Sequence, residues 1–129
     1  MIVVDTQAVL WLNLEPGKLS GKASDALRRG YDHGGMAISD VTLREIAWIV
    51  SAGRISIPGG LGAYLKFVES HFAVIPIDGR IAERSTQFTT AYPKDPADRI
   101  IGATAVVHGA ALVTADRAIR NSGEVECVW

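Results

Sequence analysis

The sequence predicts an α/β fold, a single α/β/α sandwich around a mainly parallel five-stranded sheet. Three observations lead there. Short apolar runs of β-type residues alternate with helical patterns along the whole chain, as parallel strands with helical crossovers require. The runs are almost wholly apolar rather than alternating, as expected when helices cover both faces of the sheet. Aspartates recur where the runs give way to helices. The 129 residues fit one domain, 1–129, long enough to bury roughly 65 to 70% of the unfolded chain's surface.

The elements follow in order. Ile2-Val3-Val4 predicts a strand over 2–4, and Asp5 opens a helix over 6–13. Aspartate is a preferred N-cap and complements the positive end of the helix dipole. A helix over 20–30 leads into the turn Asp32-His33-Gly34-Gly35, and Met36-Ala37-Ile38-Ser39 gives a strand over 36–39. Asp40 begins a helix over 40–52 whose apolar stripe is Leu43, Ile46, Ala47 and Val50. Pro58-Gly59-Gly60 breaks the chain before a helix over 61–70, which precedes a strand over 73–77. A helix over 79–91 is ended by Tyr92-Pro93, and Asp95-Pro96 is a strong start signal for a helix over 96–108, with Gly109 after its last periodic residue. Leu112-Val113-Thr114 completes a strand over 111–114, Asp116 opens a short helix over 116–120, and the last strand spans 125–128. No repeat, low-complexity segment or linker interrupts the pattern.

Composition removes several classes of function. Thirteen basic against fourteen acidic residues give a formal charge of -1, so a dedicated nucleic-acid binder's long-range field is missing and any phosphate must be held by local charge or metal. Cys127 is the only cysteine, which excludes an internal disulfide and a multi-thiolate zinc site and suits a reducing compartment. Met1 runs straight into strand-like residues, and no apolar run approaches the roughly 18 residues of a membrane span. A cytoplasmic protein with no membrane contact is expected.

Carboxylates at strand ends can converge in the crevice beyond the sheet even when far apart in sequence. Capping alone accounts for most of these aspartates taken singly. Glu45 is different, because its neighbours within the helix, Val41, Trp48 and Ile49, are apolar and supply no basic partner. Crowded together, Asp5, Glu45, Asp98 and Asp116 would repel one another, and an oxygen-rich set of this kind suits Mg²⁺ or Mn²⁺. No imidazole or thiolate lies near any of the four in sequence, which disfavours zinc. His33 lies in a turn, and His71 and His108 fall at helix ends, where a polar cap is the common role.

The segments MIVVDTQAVLWLN, ISDVTLREIAWIVSAGRISIP and YPKDPADRIIGATAVVHGAALVTADRAIR, followed by VECVW, resemble the PIN-domain ribonucleases. More narrowly they are similar to VapC-type toxins of type II toxin–antitoxin modules. The likeness runs in order over essentially the whole chain, and D-P-x-D-R followed by L-V-T-x-D-R is its most specific part. It implies a catalytic and metal-binding constellation of Asp5, Glu45, Asp98 and Asp116, with Asp95 as an accessory acid or cap and Thr114 as a pocket-lining polar residue. The chain departs from the family in having Gln7 where many relatives have histidine, Arg44 before the helical glutamate and Ala97 between the two acids of the DPADR start. None of these removes a carboxylate.

The resemblance further implies metal-dependent endonucleolytic cleavage of RNA, with Mg²⁺ as cofactor and Mn²⁺ as a substitute, leaving a 5′-phosphate and a 3′-hydroxyl. RNA would be positioned by local basic groups, Arg99 and Arg117 first because each follows a proposed ligand, then Arg44, with Arg54 and Lys94 as further candidates. A small cognate antitoxin is implied as partner, laying a helical segment on apolar surface supplied by Leu10, Trp11, Leu12, Leu14, Ile46, Ile49 and Val50 and placing a basic side chain in the acidic pocket. A homodimer is implied as well, with DNA contacted only through the antitoxin. Two other classes remain: a catalytically silent PIN-like interaction module, and an Asp-based phosphoryl-transfer protein. The second fits poorly, since Asp5-Thr6-Gln7 lacks the second aspartate of a D-x-D element.

Overall fold

Short apolar strands need both faces covered, and the parallel sheet here is packed on each face by an apolar cluster. The structure, a computed structural model, describes all residues from Met1 to Trp129. In chain order it runs β1 (Ile2–Val4), α1 (Thr6–Leu14), a 3₁₀ turn (Pro16–Lys18), α2 (Gly21–Asp32), β2 (Met36–Ser39), α3 (Asp40–Ser51), α4 (Leu61–His71), β3 (Ala73–Ile75), α5 (Gly79–Ser85), α6 (Pro96–Val107), β4 (Ala111–Val113), α7 (Arg117–Ser122) and β5 (Cys127–Val128). The strand order is β3-β2-β1-β4-β5, and every neighbouring pair is parallel. β1 lies at the centre, pairing Ile2 with Met36 on one side and with Ala111 on the other.

The two-residue period of the strands divides the core between the faces. Val4, Met36, Ile38 and Val113 point into one cluster with Val9 and Leu10 of α1, Leu27 of α2, Ile46 of α3 and Val68 of α4. Val3 and Leu112 point into the other, with Ile81 of α5, Ile101 and Ala105 of α6 and Ile119 of α7. Both clusters are fully apolar, which explains why the strand sequences do not alternate. Leu10 and Ile46, expected on a partner surface, are 1% and 0% exposed and belong to this core instead.

The chain leaves the helix expected over 79–91 early. α5 stops at Ser85, where the hydroxyls of Ser85 and Thr86 turn back to the carbonyls of Ala82 and Glu83. Glu124 then takes both the backbone N–H and the hydroxyl of Thr89, at 3.0 and 2.9 Å. That capture directs the segment away from the helix axis. Phe88 and Tyr92, whose spacing resembles a helical stripe, stack at 4.0 Å between ring centroids, and the Tyr92 hydroxyl donates to the Asp98 carbonyl at 2.8 Å. Arg99 closes the segment by donating to the carbonyls of Pro93, Phe88, Thr89 and Tyr92 at 2.9 to 3.3 Å. Its assignment as a phosphate contact is therefore corrected: the guanidinium satisfies loop carbonyls that no strand or helix would otherwise pair.

Smaller differences concern ends. The strands expected over 73–77 and 125–128 are limited to Ala73–Ile75 and Cys127–Val128, and Ser39 rather than Asp40 caps α3. Asp40 instead accepts from the Ile77 N–H at 3.2 Å.

Gly102 of α6 makes the Phe88–Tyr92 stack possible. A β-carbon there would meet the Tyr92 Cζ at 2.8 Å, and Tyr92 is 1% exposed with no room to withdraw. Gly102→Ala should lose more to overpacking, about 1–3 kcal/mol, than the roughly 1 kcal/mol gained in helix propensity. A lower urea midpoint is expected; a variant as stable as the parent would show that the stack yields freely.

Candidate active site

The strand order reverses between β1 and β4, since the chain builds outward from β1 through β2 and β3 and then outward again through β4 and β5. In a parallel sheet that reversal opens a crevice at the carboxyl ends of the two strands. Asp5 follows β1 there, and Asp116 follows β4. α3 brings Glu45 over the crevice, and the first turn of α6 brings Asp98. The resulting cavity, about 340 Å³, is lined by Asp5, Thr6, Gln7, Glu45, Ile49, Asp98, Ala115 and Asp116. All four predicted acids line one cavity, and no basic residue does.

Each acid is held by a local device. Asp5 is buried; its Oδ1 accepts from the Thr6 N–H and its Oδ2 from the Thr114 hydroxyl, both at 2.8 Å. The same Thr114 hydroxyl accepts from the Asp116 N–H at 3.1 Å, so one side chain connects the two strand ends. Thr114 is fully buried behind the acids and is absent from the cavity lining. Asp116 caps α7 through the Ile119 N–H at 3.1 Å. Asp95 caps α6, accepting from the N–H groups of Ala97 and Asp98 at 2.8 and 3.2 Å. It is exposed and outside the lining, and acts on the crevice through its charge and by holding the backbone of Asp98. Capping and convergence are thus both true of Asp116.

Glu45 is positioned by residues that sequence reasoning missed. The Thr6 hydroxyl donates to Glu45 Oε1 at 2.6 Å and lies 3.0 Å from the Thr42 hydroxyl. Thr42 is 0% exposed, three residues before Glu45 on the same helix face. A threonine at that spacing on an otherwise apolar stripe was the available signal. Among the arginines, Arg44 and Arg117 are exposed and make no ion pair. They flank the lining without entering it.

The electrostatics carry the cost of this convergence. Burial is the main cause that raises Asp5, with Thr114 and Thr6 opposing it and Asp116 adding to it. Glu45 is raised by burial first, against the Thr6 hydrogen bond and with the charges of Asp5 and Asp95. Asp98 is pushed from an ordinary 3.8 up to about 7, by burial and then by Asp5, Asp95, Glu45 and Asp116.

An all-oxygen, all-anionic set without a basic counter-charge has the donor chemistry of a hard divalent cation. The carboxylates do not by themselves draw together into a closed cage of three or more ligands. An open arrangement of this kind fits Mg²⁺, which keeps several waters and takes few protein carboxylates. The residues present therefore fit such an ion.

The PIN domain profile matches residues 2–124, and the chain belongs to the PIN-domain family. Within that family it is of the VapC type: it is 31% identical over 120 residues to Ribonuclease VapC22 of Mycobacterium tuberculosis, covering 93% of this chain and 90% of that one. Among solved structures, a toxin–antitoxin complex from Klebsiella pneumoniae matches with a TM-score of 0.62 at 25% identity, over 90% of this chain and 87% of that one. VapBC2 from Rickettsia felis, bound to a DNA fragment from its promoter, shares the fold at a TM-score of 0.75 and 16% identity, over 98% and 97%. No helix is long and apolar enough to cross a membrane.

The raised carboxylates set a direction for pH. Between 3.8 and about 7 the folded protein holds a proton on Asp98 that the unfolded chain has released, so stability present at low pH is lost as pH rises through that window. Asp78 and Glu124 are lowered chiefly by backbone hydrogen bonds from Ile81 and Thr89, from ordinary values of 3.8 and 4.5, and their opposite effect is complete before about pH 5. Without divalent ions, the urea midpoint at about pH 5 should exceed that at about pH 8, and Asp98→Asn should flatten the difference. A midpoint that rises with pH in the parent would contradict the crowding.

Proposed function

We propose that this chain is the toxin of a type II toxin–antitoxin pair and that it cuts RNA endonucleolytically with Mg²⁺, for which Mn²⁺ can substitute. The observation that carries this is the convergence of Asp5, Glu45, Asp98 and Asp116 on one cavity with no basic side chain in its lining. The VapC22 relative, a ribonuclease by name, supports the reaction class.

Asp5, Asp98 and Asp116 would hold the cation, with Glu45 either a further ligand or the group that orients water. Bound there, a divalent ion would acidify a water, offset phosphate charge and stabilise the leaving 3′ oxygen. The protein's own contribution is orientation. Thr6 and Thr114 fix both oxygens of Asp5, so the central carboxylate cannot rotate out of the crevice. Thr6 holds one oxygen of Glu45 and leaves Oε2 free of protein hydrogen bonds, able to accept a proton from the attacking water. Arg117 and Arg44, exposed and next in sequence to Asp116 and Glu45, would pair with phosphates of the bound RNA.

The partner is a small antitoxin with an apolar helical segment and a basic side chain that enters the acidic crevice. Trp11, Leu12 and Leu14 of α1 and Ile49 and Val50 of α3 are only partly buried. Beside them a cleft of about 310 Å³ is lined by Asn13, Leu14, Ile57, Pro58, Ala63, Tyr64 and Phe67. That one of the similar solved structures is a toxin–antitoxin complex, from Klebsiella pneumoniae, supports a partner of this class. Assembly as a homodimer in the cytoplasm, with DNA reached through the antitoxin, completes the proposal.

End-labelled pooled cellular RNA, incubated with antitoxin-free protein and Mg²⁺, Mn²⁺ or EDTA, tests it. Discrete cuts should depend on metal and fall by roughly a hundredfold or more in Asp5→Asn and Asp98→Asn, each of which removes an anionic ligand. Cutting that persists in EDTA, or at full rate in both variants, would refute the mechanism. Thr114→Val, which keeps every carboxylate but unties Asp5, should lose about tenfold to a hundredfold.

A further inference from the structure

Trp48 is out of place for a core residue of α3. It is 47% exposed although it lies one turn from Glu45 and beside Ile49, both of which line the acidic cavity. Its setting is built rather than incidental. α3 ends in a Schellman motif: the Gly53 N–H bonds the Val50 carbonyl at 3.0 Å, the Arg54 N–H bonds the Ile49 carbonyl at 3.2 Å, and Gly53 takes φ of 74°. This closure turns Arg54 back onto the helix, and its guanidinium carbon sits 4.7 Å from the Trp48 ring centroid. Arg44, four residues before Trp48, is on the same side of α3. Neither arginine has an acidic partner within ion-pair distance.

We propose that Trp48, with Arg54 over its ring and Arg44 beside it, is a binding site for an unpaired base of single-stranded RNA, next to the nucleotide held at the acidic crevice. The proposal rests on the nuclease reading of that crevice. An exposed indole offers a π-face to any base, and the two unpaired guanidinium groups complement the phosphates that flank it. An apolar protein segment laid here would have to desolvate two exposed, unpaired arginines, whereas a polyanion with aromatic bases uses both features at once. A base in a duplex is already stacked and cannot enter, so the site selects single strands. It supplies local positive charge that the chain's net charge of -1 does not.

The test uses full-length protein in the Asp98→Asn background, where binding is read without cleavage. A short fluorescein-labelled single-stranded RNA of mixed sequence and the same strand annealed to its complement are titrated by fluorescence anisotropy. Trp48→Ala should weaken single-strand binding roughly fivefold to a hundredfold, the range for loss of one base–aromatic stack. Trp48→Phe should restore most of it, and Arg54→Gln should cost a few-fold with the ring in place. Duplex binding should be weaker than single-strand binding from the outset and indifferent to Trp48→Ala. If Trp48→Ala does not fold, the Phe and Arg54→Gln variants carry the test. Equal single-strand affinity for all variants overturns the site while leaving the nuclease reading intact if the wild-type chain still cuts. Absence of RNA binding together with absence of cutting by the wild-type chain overturns both. Loss of antitoxin binding in Trp48→Ala with RNA affinity unchanged assigns the surface to the protein partner and overturns the inference.

Discussion

Mutual repulsion among Asp5, Glu45, Asp98 and Asp116 is the constraint around which the rest of this structure is arranged. Four carboxylates lining a cavity of about 340 Å³ disfavour one another's ionised forms, and burial adds to the penalty. A sheet with β1 at its centre can bear this because Val3, Val4, Leu112 and Val113, beneath the site, are completely buried. The strands that deliver Asp5 and Asp116 cannot part without opening both apolar clusters. Stability gained in the core thus holds charges where they would not remain unaided, and the proposed divalent cation would turn the same arrangement from a cost into a binding site.

Two threonines, one behind the cavity and one in its wall, fix its geometry. Thr114 joins the ends of β1 and β4 through a single hydroxyl, and Thr6 connects α1 to α3 through Glu45 and Thr42. On the other side, Arg99 gathers four loop carbonyls and Tyr92 bonds the Asp98 carbonyl, so the loop before α6 and the helix start move as one unit. The carboxylates of Asp5 and Glu45 are therefore each tied to an element other than their own. The proposed hydrolysis would demand such ordering, because small misplacements are costly in rate.

Much of this was legible in the sequence. Aspartate after an apolar run marks both a helix cap and a strand end, and the structure uses Asp116 in both senses. Glu45 stood out because its helical neighbours offered no counter-charge. What remained hidden depends on contacts between distant segments. The Thr6–Thr42 pair is 36 residues apart, and no local pattern links them. Phe88 and Tyr92 continue the period of Ile81 and so mimic a helix; the pull of Glu124 on Thr89, 35 residues away, decides otherwise. Arg99 looked like a phosphate ligand because it follows Asp98, whereas the loop carbonyls that claim it come into view only once the loop is folded.

The central claim is that the crevice exists to hold a divalent cation, and calorimetric titration of the metal-free protein with Mn²⁺ near neutral pH tests it most directly. Run in two buffers of different ionisation enthalpy, it also counts protons. Saturable binding is predicted, accompanied by proton release, because Asp98 is still partly protonated when its neighbours are crowded and must ionise to bind metal. A folded protein that takes up no Mn²⁺, or takes it up equally after Asp5→Asn and Asp98→Asn are combined, would contradict it.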